Sequence, residues 1–380
     1  MKKTVYYWSP LISKIATLDA VINSAYSLML YSKKYDSYLL NVIGEFNIFN
    51  NNYFKKKINL INFKNIFLHK MLSNKGYILS RISFIFIFFT SFFKLKSILE
   101  KNKPDFLIIH LITSLPLLLN FIYNFNTKFI LRISGLPKLN FVRKYFWKVV
   151  LKKVYKVTCP TFQTKELLIR NKIVDPNKIV VLRDPAIHIN KFCSQYKGDI
   201  NENYGKYIFA AGRLTKQKNF EFLLESFYEV SKKYPLINLV IAGEGEDLNF
   251  LKNILKKHNI VNRVYFIGYQ NNIFKYFKNC EIFVSTSLWE DPGFAIIEAA
   301  FCKANIISSN CPNGPIDFFD NKRLGYVFNI NNKSEFLDLI DTVLSDKNST
   351  NQINKKILLK RSKEYTLFNH FKELNNLLSQ

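Results

Sequence analysis

Paired cysteine, acidic side chains and long apolar runs are all scarce in this chain of 380 residues. Its five cysteines are odd in number and never fall as CxxC, which excludes a recognisable disulfide framework and a cysteine-held zinc. Cys280, Cys302 and Cys311 flank or lie in apolar runs, where a free thiol acts as a small core side chain. A reducing cytoplasm is the expected compartment. The strand-end loops hold no DxD and the chain no His-rich spacing, so neither a metal nor another cofactor is expected. The opening MKKTVYYWSP passes straight into mixed polar sequence, without a secretory pattern. The candidate membrane element, ISFIFIFFTSFF at Ile82–Phe93, is short beside the roughly 20 apolar residues of a spanning helix. It reads either as a buried helix or as an element in a membrane interface, helped by Lys55, Lys56, Lys57, Lys152 and Lys153.

Acid is scarce mainly in one half. The net charge is +27. Residues 1–200 hold 32 Lys and Arg against 9 Asp and Glu, whereas residues 201–380 hold 23 against 19. Phosphate-rich partners or an anionic membrane surface suit such a balance. AT-rich coding is a competing source, because Lys outnumbers Arg 46 to 9. The basic residues are scattered rather than interleaved with aromatics on one face, which argues against nucleic acid.

No repeat of solenoid length is present. The second half alternates short apolar runs with helical patterns. The runs are YIFAAG (207–212), LVIAGEG (239–245), VYFIG (264–268), IFVSTS (282–287), NIISS (305–309) and GYVF (325–328). The first half has TVYYWS (4–9), SYLLNVI (37–43), DFLIIHL (105–111), KFILRIS (128–134), KVTCP (156–160) and a possible sixth, KIVVLRD (178–184). Strands alternating with helices imply βαβ units and parallel sheets covered on both faces. The expected fold class is α/β, with two Rossmann-like domains facing across a cleft. Residues 1–200 form the first, residues 201–354 the second, and residues 355–380 a helical tail that packs back toward the N-terminal domain. The polar stretch Lys197–Lys206 reads as the linker.

Ligands of open parallel sheets bind beyond the carboxyl ends of the strands. One such loop, AGRLTKQKNF, places Arg213 and Lys218 five residues apart before a helix. Two cations there suit a diphosphate, aided by the helix N-terminus; two solvated surface cations are the alternative. AGEGE (242–246) offers GxG but adds two glutamates that repel pyrophosphate, so a plain tight turn is the better reading. In SLWEDPGFAIIEAAFCK (287–303), Glu290 follows a strand, Pro292-Gly293 forces a turn, and Glu298 sits early on the next helix. Paired carboxylates accept hydrogen bonds from sugar hydroxyls, and the N–H groups of Gly293, Phe294 and Ala295 suit an anion. A solvated loop with one helix-surface carboxylate is the bland alternative.

The run from GRLTKQKN through LVIAGEGE, VYFIGY and IFVSTSLWEDPGFAIIEAAFCKANIISSNCPNGP resembles the C-terminal half of glycosyltransferase family four, of the bacterial surface-polysaccharide type. These are retaining, GT-B-fold enzymes that use nucleotide-diphospho-sugars. The resemblance implies that Arg213 and Lys218 hold the donor diphosphate, that Glu298 binds ribose hydroxyls and that Glu290 meets the transferred sugar. It implies that backbone groups near Gly268 and Tyr269 meet the base. His110, ending the strand DFLIIH, matches the family histidine that contacts the donor sugar; a strand-end histidine with a structural hydrogen bond is the alternative. Catalytic roles would then fall to His110, Arg213, Lys218 and Glu290. Two departures stand out. Asp291 replaces the glycine usual after the first glutamate, and SPLISKIATLDA (9–20) lacks the usual glycine pair.

The implied activity is metal-independent, hexosyltransferase-type transfer from a UDP- or GDP-sugar to a glycan or lipid-linked oligosaccharide, with retention. Arg213, Lys218 and a helix N-terminus would stabilise the departing diphosphate, at about 3–4 kcal/mol per well-placed donor. The implied setting is cytoplasmic, peripheral on the inner face of the cell membrane. A silent nucleotide-sugar-binding protein and a GT-B nucleotide-sugar epimerase are the alternatives.

Overall fold

The computed structural model describes residues 2–10, 16–47, 58–63, 77–135, 140–200, 202–345 and 350–380. Lys55, Lys56 and Lys57, and residues 11–15 of the first strand-to-helix loop, lie outside the described residues. The chain divides into two compact units. One is Met1–Pro185 with Leu367–Gln380, and the other is Ala186–Thr366.

In the first unit, β1 (Lys3–Trp8), α1 (Ala16–Tyr31), β2 (Tyr35–Asn41) and β3 (Asn59–Asn62) lead to the long α2 (Tyr77–Asn102). There follow β4 (Phe106–Ile109), α3 (Ser114–Ile122), β5 (Lys128–Arg132), α4 (Phe141–Val150), β6 (Lys156–Cys159), α5 (Phe162–Arg170) and β7 (Ile179–Val181). All seven strands are parallel, in the order β3-β2-β1-β4-β5-β6-β7. Successive side chains of a strand point to opposite faces. Accordingly Tyr6, Trp8, Leu107 and Ile109 pack under α2–α5, while Val5, Tyr7, Phe106 and Ile108 pack under α1 and the returning C-terminal helix.

The second unit opens with α6 (Ile189–Tyr196) and β8 (Lys206–Ala211), followed by α7 (Phe220–Lys233), β9 (Ile237–Ala242), α8 (Leu248–Lys257) and β10 (Val264–Phe266). Then come α9 (Phe274–Asn279), β11 (Ile282–Ser285), α10 (Phe294–Phe301), β12 (Ile306–Ser309), α11 (Gly314–Phe318), β13 (Tyr326–Phe328), α12 (Lys333–Ser345) and α13 (Thr350–Ser362). Its six parallel strands run β10-β9-β8-β11-β12-β13. Ile208, Ala210, Ile282 and Val284 point to one core, and Tyr207, Phe209 and Phe283 to the other. The α/β architecture with two parallel sheets is the expected fold class.

Several boundaries differ from expectation. The units meet at Pro185–Ala186, not near residue 200, because Ile187 is fully buried in the second unit's core and Phe192 packs against it. Lys197–Lys206 is thus part of the second unit rather than the linker. The tail divides instead of packing as one piece. Leu358 on α13 is buried in the second unit, whereas α14 (Leu367–Ser379) lies on α1 with Leu374, Leu377 and Leu378 buried. The strand β3, with the sequence NLIN, carried no apolar run to announce it.

The apolar run at Ile82–Phe93 is helical, with one face in the core. It belongs to the 26-residue α2, whose Arg81–Asn102 portion is long and apolar enough to cross a membrane by length and composition. Ile87, Leu95, Ile98 and Leu99 are buried in the first unit's core. Ile82, Ile85, Phe86, Phe89 and Phe93 fall on the opposite face at helical spacing. They are exposed, Phe89 to 69% and Phe93 to 79%. On α4, Phe141, Val142 and Tyr145 are exposed in the same manner.

A buried ion pair and a buried histidine fix the segment after β7, the histidine joining it to α14. Arg132 pairs with Asp184 through Nε–Oδ1 at 3.1 Å and Nη2–Oδ2 at 2.5 Å. His370 Nδ1 donates to the Arg183 carbonyl at 2.6 Å, so its Nε2 accepts from the Ser24 hydroxyl at 2.8 Å. This is the neutral imidazole. Burial, opposed by the Arg183 carbonyl and Asp184 and assisted by Arg132, holds its pKa down at about 4. An unfolded histidine near 6.5 binds protons that the folded one refuses, so stability is lost as pH falls below 6.5 toward 4. Between pH 7.5 and pH 5 the loss from His370 should be about 2 kcal/mol. Urea unfolding at both pH values measures it. His370→Gln should show a shallower pH slope than the natural chain; an identical slope in both proteins would show that His370 does not carry the effect.

Candidate functional site

The second sheet reverses its strand order between β8 and β11. From β8 the chain moves outward to β9 and β10, and from β11 to β12 and β13. Loops leaving two such neighbours open a crevice at their carboxyl ends. Arg213 and Lys218 follow β8, and Glu290 follows β11. Lys218 and Glu290 are 72 positions apart, but Ala210 and Val284 are register partners, so the two loops start side by side.

The β8 loop makes a 3₁₀ turn at Lys216–Lys218 and enters α7 through Asn219, which adopts φ +54°. Lys218 runs back past Gly212 and its Nζ donates to Glu290 Oε1. The Ser287 hydroxyl donates to that same oxygen at 2.7 Å. Glu290 Oε2 carries no hydrogen bond among the described residues and is not among the atoms sealed from solvent. One oxygen is thus anchored and the other is available to a hydroxyl. Arg213 is exposed beside this pair, with its Nη2 on Gln217 Oε1 at 3.1 Å.

The backbone of Glu290 is fixed as firmly as its side chain. Its N–H donates to the Pro312 carbonyl at 2.7 Å, and its own carbonyl accepts from Asn313 at 2.7 Å and Gly314 at 2.9 Å. The CPNGP segment lies so close that a Cβ on Gly314 would stand 1.9 Å from the Pro292 carbonyl oxygen. Only glycine permits that approach. After Gly293, α10 begins with the N–H groups of Phe294 and Ala295 unbonded among the described residues. They are ready donors for an anion. Glu298 is half-buried one turn further along α10.

AGEGE serves the site from behind. Gly243 lies against the Gly212 carbonyl, and Leu214 N–H donates to the Glu244 carbonyl at 2.9 Å. Gly243 and Gly245 lie against the backbone of Gly212 and Leu214, where no side chain would fit. Gly268 and Tyr269 follow the edge strand β10. The Gly268 carbonyl accepts from Gly243 at 2.8 Å, and Tyr269 N–H points to Glu244 Oε1 at 3.4 Å, leaving the Tyr269 ring exposed. Among the described residues, no group of three or more His, Cys, Asp or Glu is arranged to hold a metal ion.

His110 belongs to the first unit. It ends β4, whose neighbour β1 marks the reversal of that sheet, and its N–H donates to the Trp8 carbonyl at 2.9 Å. Its ring stacks at 6.2 Å on Tyr7, and its Nε2 is sealed without a hydrogen-bond partner. Burial first, then Arg132 and His370, hold its pKa well below the usual histidine value, so it is a neutral imidazole. With Ser24, Thr158, Arg132, Asp184 and His370 it lines a small cavity.

The residues that sequence reasoning missed are polar and neutral. Ser287, Ser309, Thr286 and Gln217 orient the charged groups. Ser309 donates to the Ser287 carbonyl at 2.6 Å, and Thr286 to the carbonyls of Lys218 and Asn219 at 3.0 and 3.1 Å. No charge or spacing distinguishes them from ordinary strand-end residues.

Two units, each a parallel sheet covered by helices, define a GT-B architecture. A crystal structure of HepE from Anabaena in complex with UDP and glucose superimposes with a TM-score of 0.72 at 14% identity, covering 99% of both chains. Residues 196–358 match the family described as "Glycosyl transferases group 1". An uncharacterized glycosyltransferase of Methanocaldococcus jannaschii is 32% identical over 59% of this chain and 60% of its own length. The UDP-Gal:alpha-D-GlcNAc-diphosphoundecaprenol alpha-1,3-galactosyltransferase of Escherichia coli is 31% identical over 50% of this chain and 52% of its own. The chain thus spans about half to three-fifths of the length of the curated relatives it matches.

Gly314→Ala should force the Pro292 carbonyl and the Glu290 loop apart, at about 1–3 kcal/mol of stability. Calorimetric unfolding checks this, and an unchanged melting profile would mean that the two loops yield without strain.

Proposed function

We propose that the chain is a retaining glycosyltransferase that moves a sugar from a nucleotide-diphospho-sugar to a glycan or lipid-linked acceptor. The observation that carries this reading is the meeting of Arg213, Lys218 and Glu290 at the strand reversal between β8 and β11. Fixed cations in a partly water-excluded crevice stabilise charge that develops on a departing diphosphate without further reorganisation. Lys218 supplies one, the exposed Arg213 adds a second, and the N–H groups of Phe294 and Ala295 add to the same field. Glu290, with one oxygen anchored, presents the other to a hydroxyl of the transferred sugar. Glu298 accepts the ribose hydroxyls. Groups near Gly268 and Tyr269 face the base, the exposed Tyr269 ring offering a stacking surface. With retention, the leaving phosphate takes the acceptor's proton, and no side-chain base is required.

The Anabaena protein in complex with UDP and glucose supports a UDP-sugar donor. The Escherichia coli relative, named for a diphosphoundecaprenol substrate, supports an acceptor on a polyprenyl diphosphate. Such an acceptor lies in a membrane, and the exposed face of α2 and α4 suits a peripheral position on its cytoplasmic side. From Arg81 to Lys96 the helix carries three cations and no acid, and Phe141–Lys153 carries five and none. Burial, then the charge of Arg81, lowers the pKa of Arg143. Apolar side chains rimmed by cations suit an anionic bilayer surface.

Arg213→Ala and Glu298→Ala should each lose about 100-fold or more in transfer, measured as UDP or GDP release from a panel of nucleotide sugars with a lipid-linked acceptor. Full activity in either folded variant would overturn the site assignment. The membrane position is tested separately by flotation. The chain should float with phosphatidylglycerol-containing vesicles and remain below with phosphatidylcholine alone, and Phe89→Ser with Phe93→Ser should abolish flotation. Equal flotation of that double variant would remove α2 from the membrane contact.

A further inference from the structure

Arg213 is exposed, and its guanidinium has one side-chain hydrogen bond among the described residues, to Gln217. An unrestrained arginine carries about 2 kcal/mol of rotamer entropy that a ligand must overcome. Gln217 restrains it, and does so from a particular place. Its Oε1 accepts from Arg213 Nη2 at 3.1 Å while its Nε2 donates to the Trp289 carbonyl at 2.8 Å. Its own backbone carbonyl accepts from Leu288 N–H at 2.8 Å. The amide orientation follows from its partners, since a guanidinium only donates and a carbonyl only accepts.

One neutral side chain therefore spans the β8 loop and the β11 loop, touching the cation on one side and the residue before Glu290 on the other. We propose that Gln217 is a positioning residue. It sets the guanidinium of Arg213 against the Glu290 loop before a nucleoside diphosphate arrives, so that binding does not have to order either. This inference rests on the diphosphate reading of Arg213 given above. Glutamine suits the task because it offers a donor and an acceptor in one plane and adds no charge. A glutamate would hold Arg213 by its own charge, compete with the diphosphate and give up the bond to Trp289. Methionine would keep the length and lose both bonds.

The test is a double-mutant cycle read by UDP binding in calorimetry, with GDP in a parallel series, on the full chain. Gln217→Met should weaken diphosphate binding by roughly three- to tenfold, the scale of one ordinary hydrogen bond. Gln217→Glu should weaken it further. In the Arg213→Ala background, Gln217→Met should add less than about twofold, because its effect is transmitted through the guanidinium. A purely structural glutamine would instead lower binding equally in both backgrounds, and that result overturns the inference. So does a Gln217→Met protein that binds as tightly as the natural chain while Arg213→Ala does not. If Arg213→Ala itself binds UDP and GDP undiminished, the diphosphate reading fails first, and this inference fails with it. Should Gln217→Met not fold, Gln217→Glu carries the same cycle.

Discussion

The contact between the Lys218 ammonium and Glu290 Oε1 is the constraint on which the second unit's crevice depends. Both side chains are mostly withdrawn from water, at 16% and 9% exposure. Charges in such a place are retained only when paired and further hydrogen-bonded, and losing one partner leaves the other uncompensated. The surrounding polar groups answer that demand. Ser287 takes a second position on the carboxylate, Thr286 holds the carbonyls after Lys218, and CPNGP fixes the Glu290 backbone on both sides. The result is a crevice whose charges are placed before any ligand enters it, which is the condition under which electrostatic stabilisation is most effective.

The first unit is organised by the opposite requirement. His110 and His370 are kept neutral by burial within a strongly basic unit, close to an arginine whose charge is matched by Asp184. A protonated imidazole there would add a second cation beside Arg132. Neutral, His370 serves as donor and acceptor together, linking the Arg183 carbonyl to Ser24 and so to the Tyr7 hydroxyl 3.1 Å away. The same few side chains tie α1, the segment after β7 and α14. The outer face of this unit follows a different rule, with α2 apolar on both sides although only one side has a core to meet.

Elements with a strong local signal were legible in the residues. Phe220–Lys233 is the helix its pattern foretold, and the six strand runs of the second half each hold a strand whose ends fall within three residues of the run's. β3 was not legible, because a four-residue strand with asparagine at both ends takes its conformation from pairing with β2. The end of the first unit was misplaced because Ile187 and Phe192, unremarkable in a polar stretch, decide it by burial. At the site, charge and spacing singled out Arg213, Lys218 and Glu290. The neutral residues Gln217, Ser287 and Gly314 were invisible, since their importance lies in what stands opposite them.

The sequence by itself determined the alternation of strand and helix, the parallel sheets and the identity of the charged groups, because these rest on local periodicity and on side-chain chemistry. Only the tertiary structure decided which loops are neighbours, which oxygen of Glu290 is anchored, and which face of α2 meets a core. Those follow from strand order and packing, where residues far apart in the chain are brought within hydrogen-bond reach, and no local pattern records such a meeting.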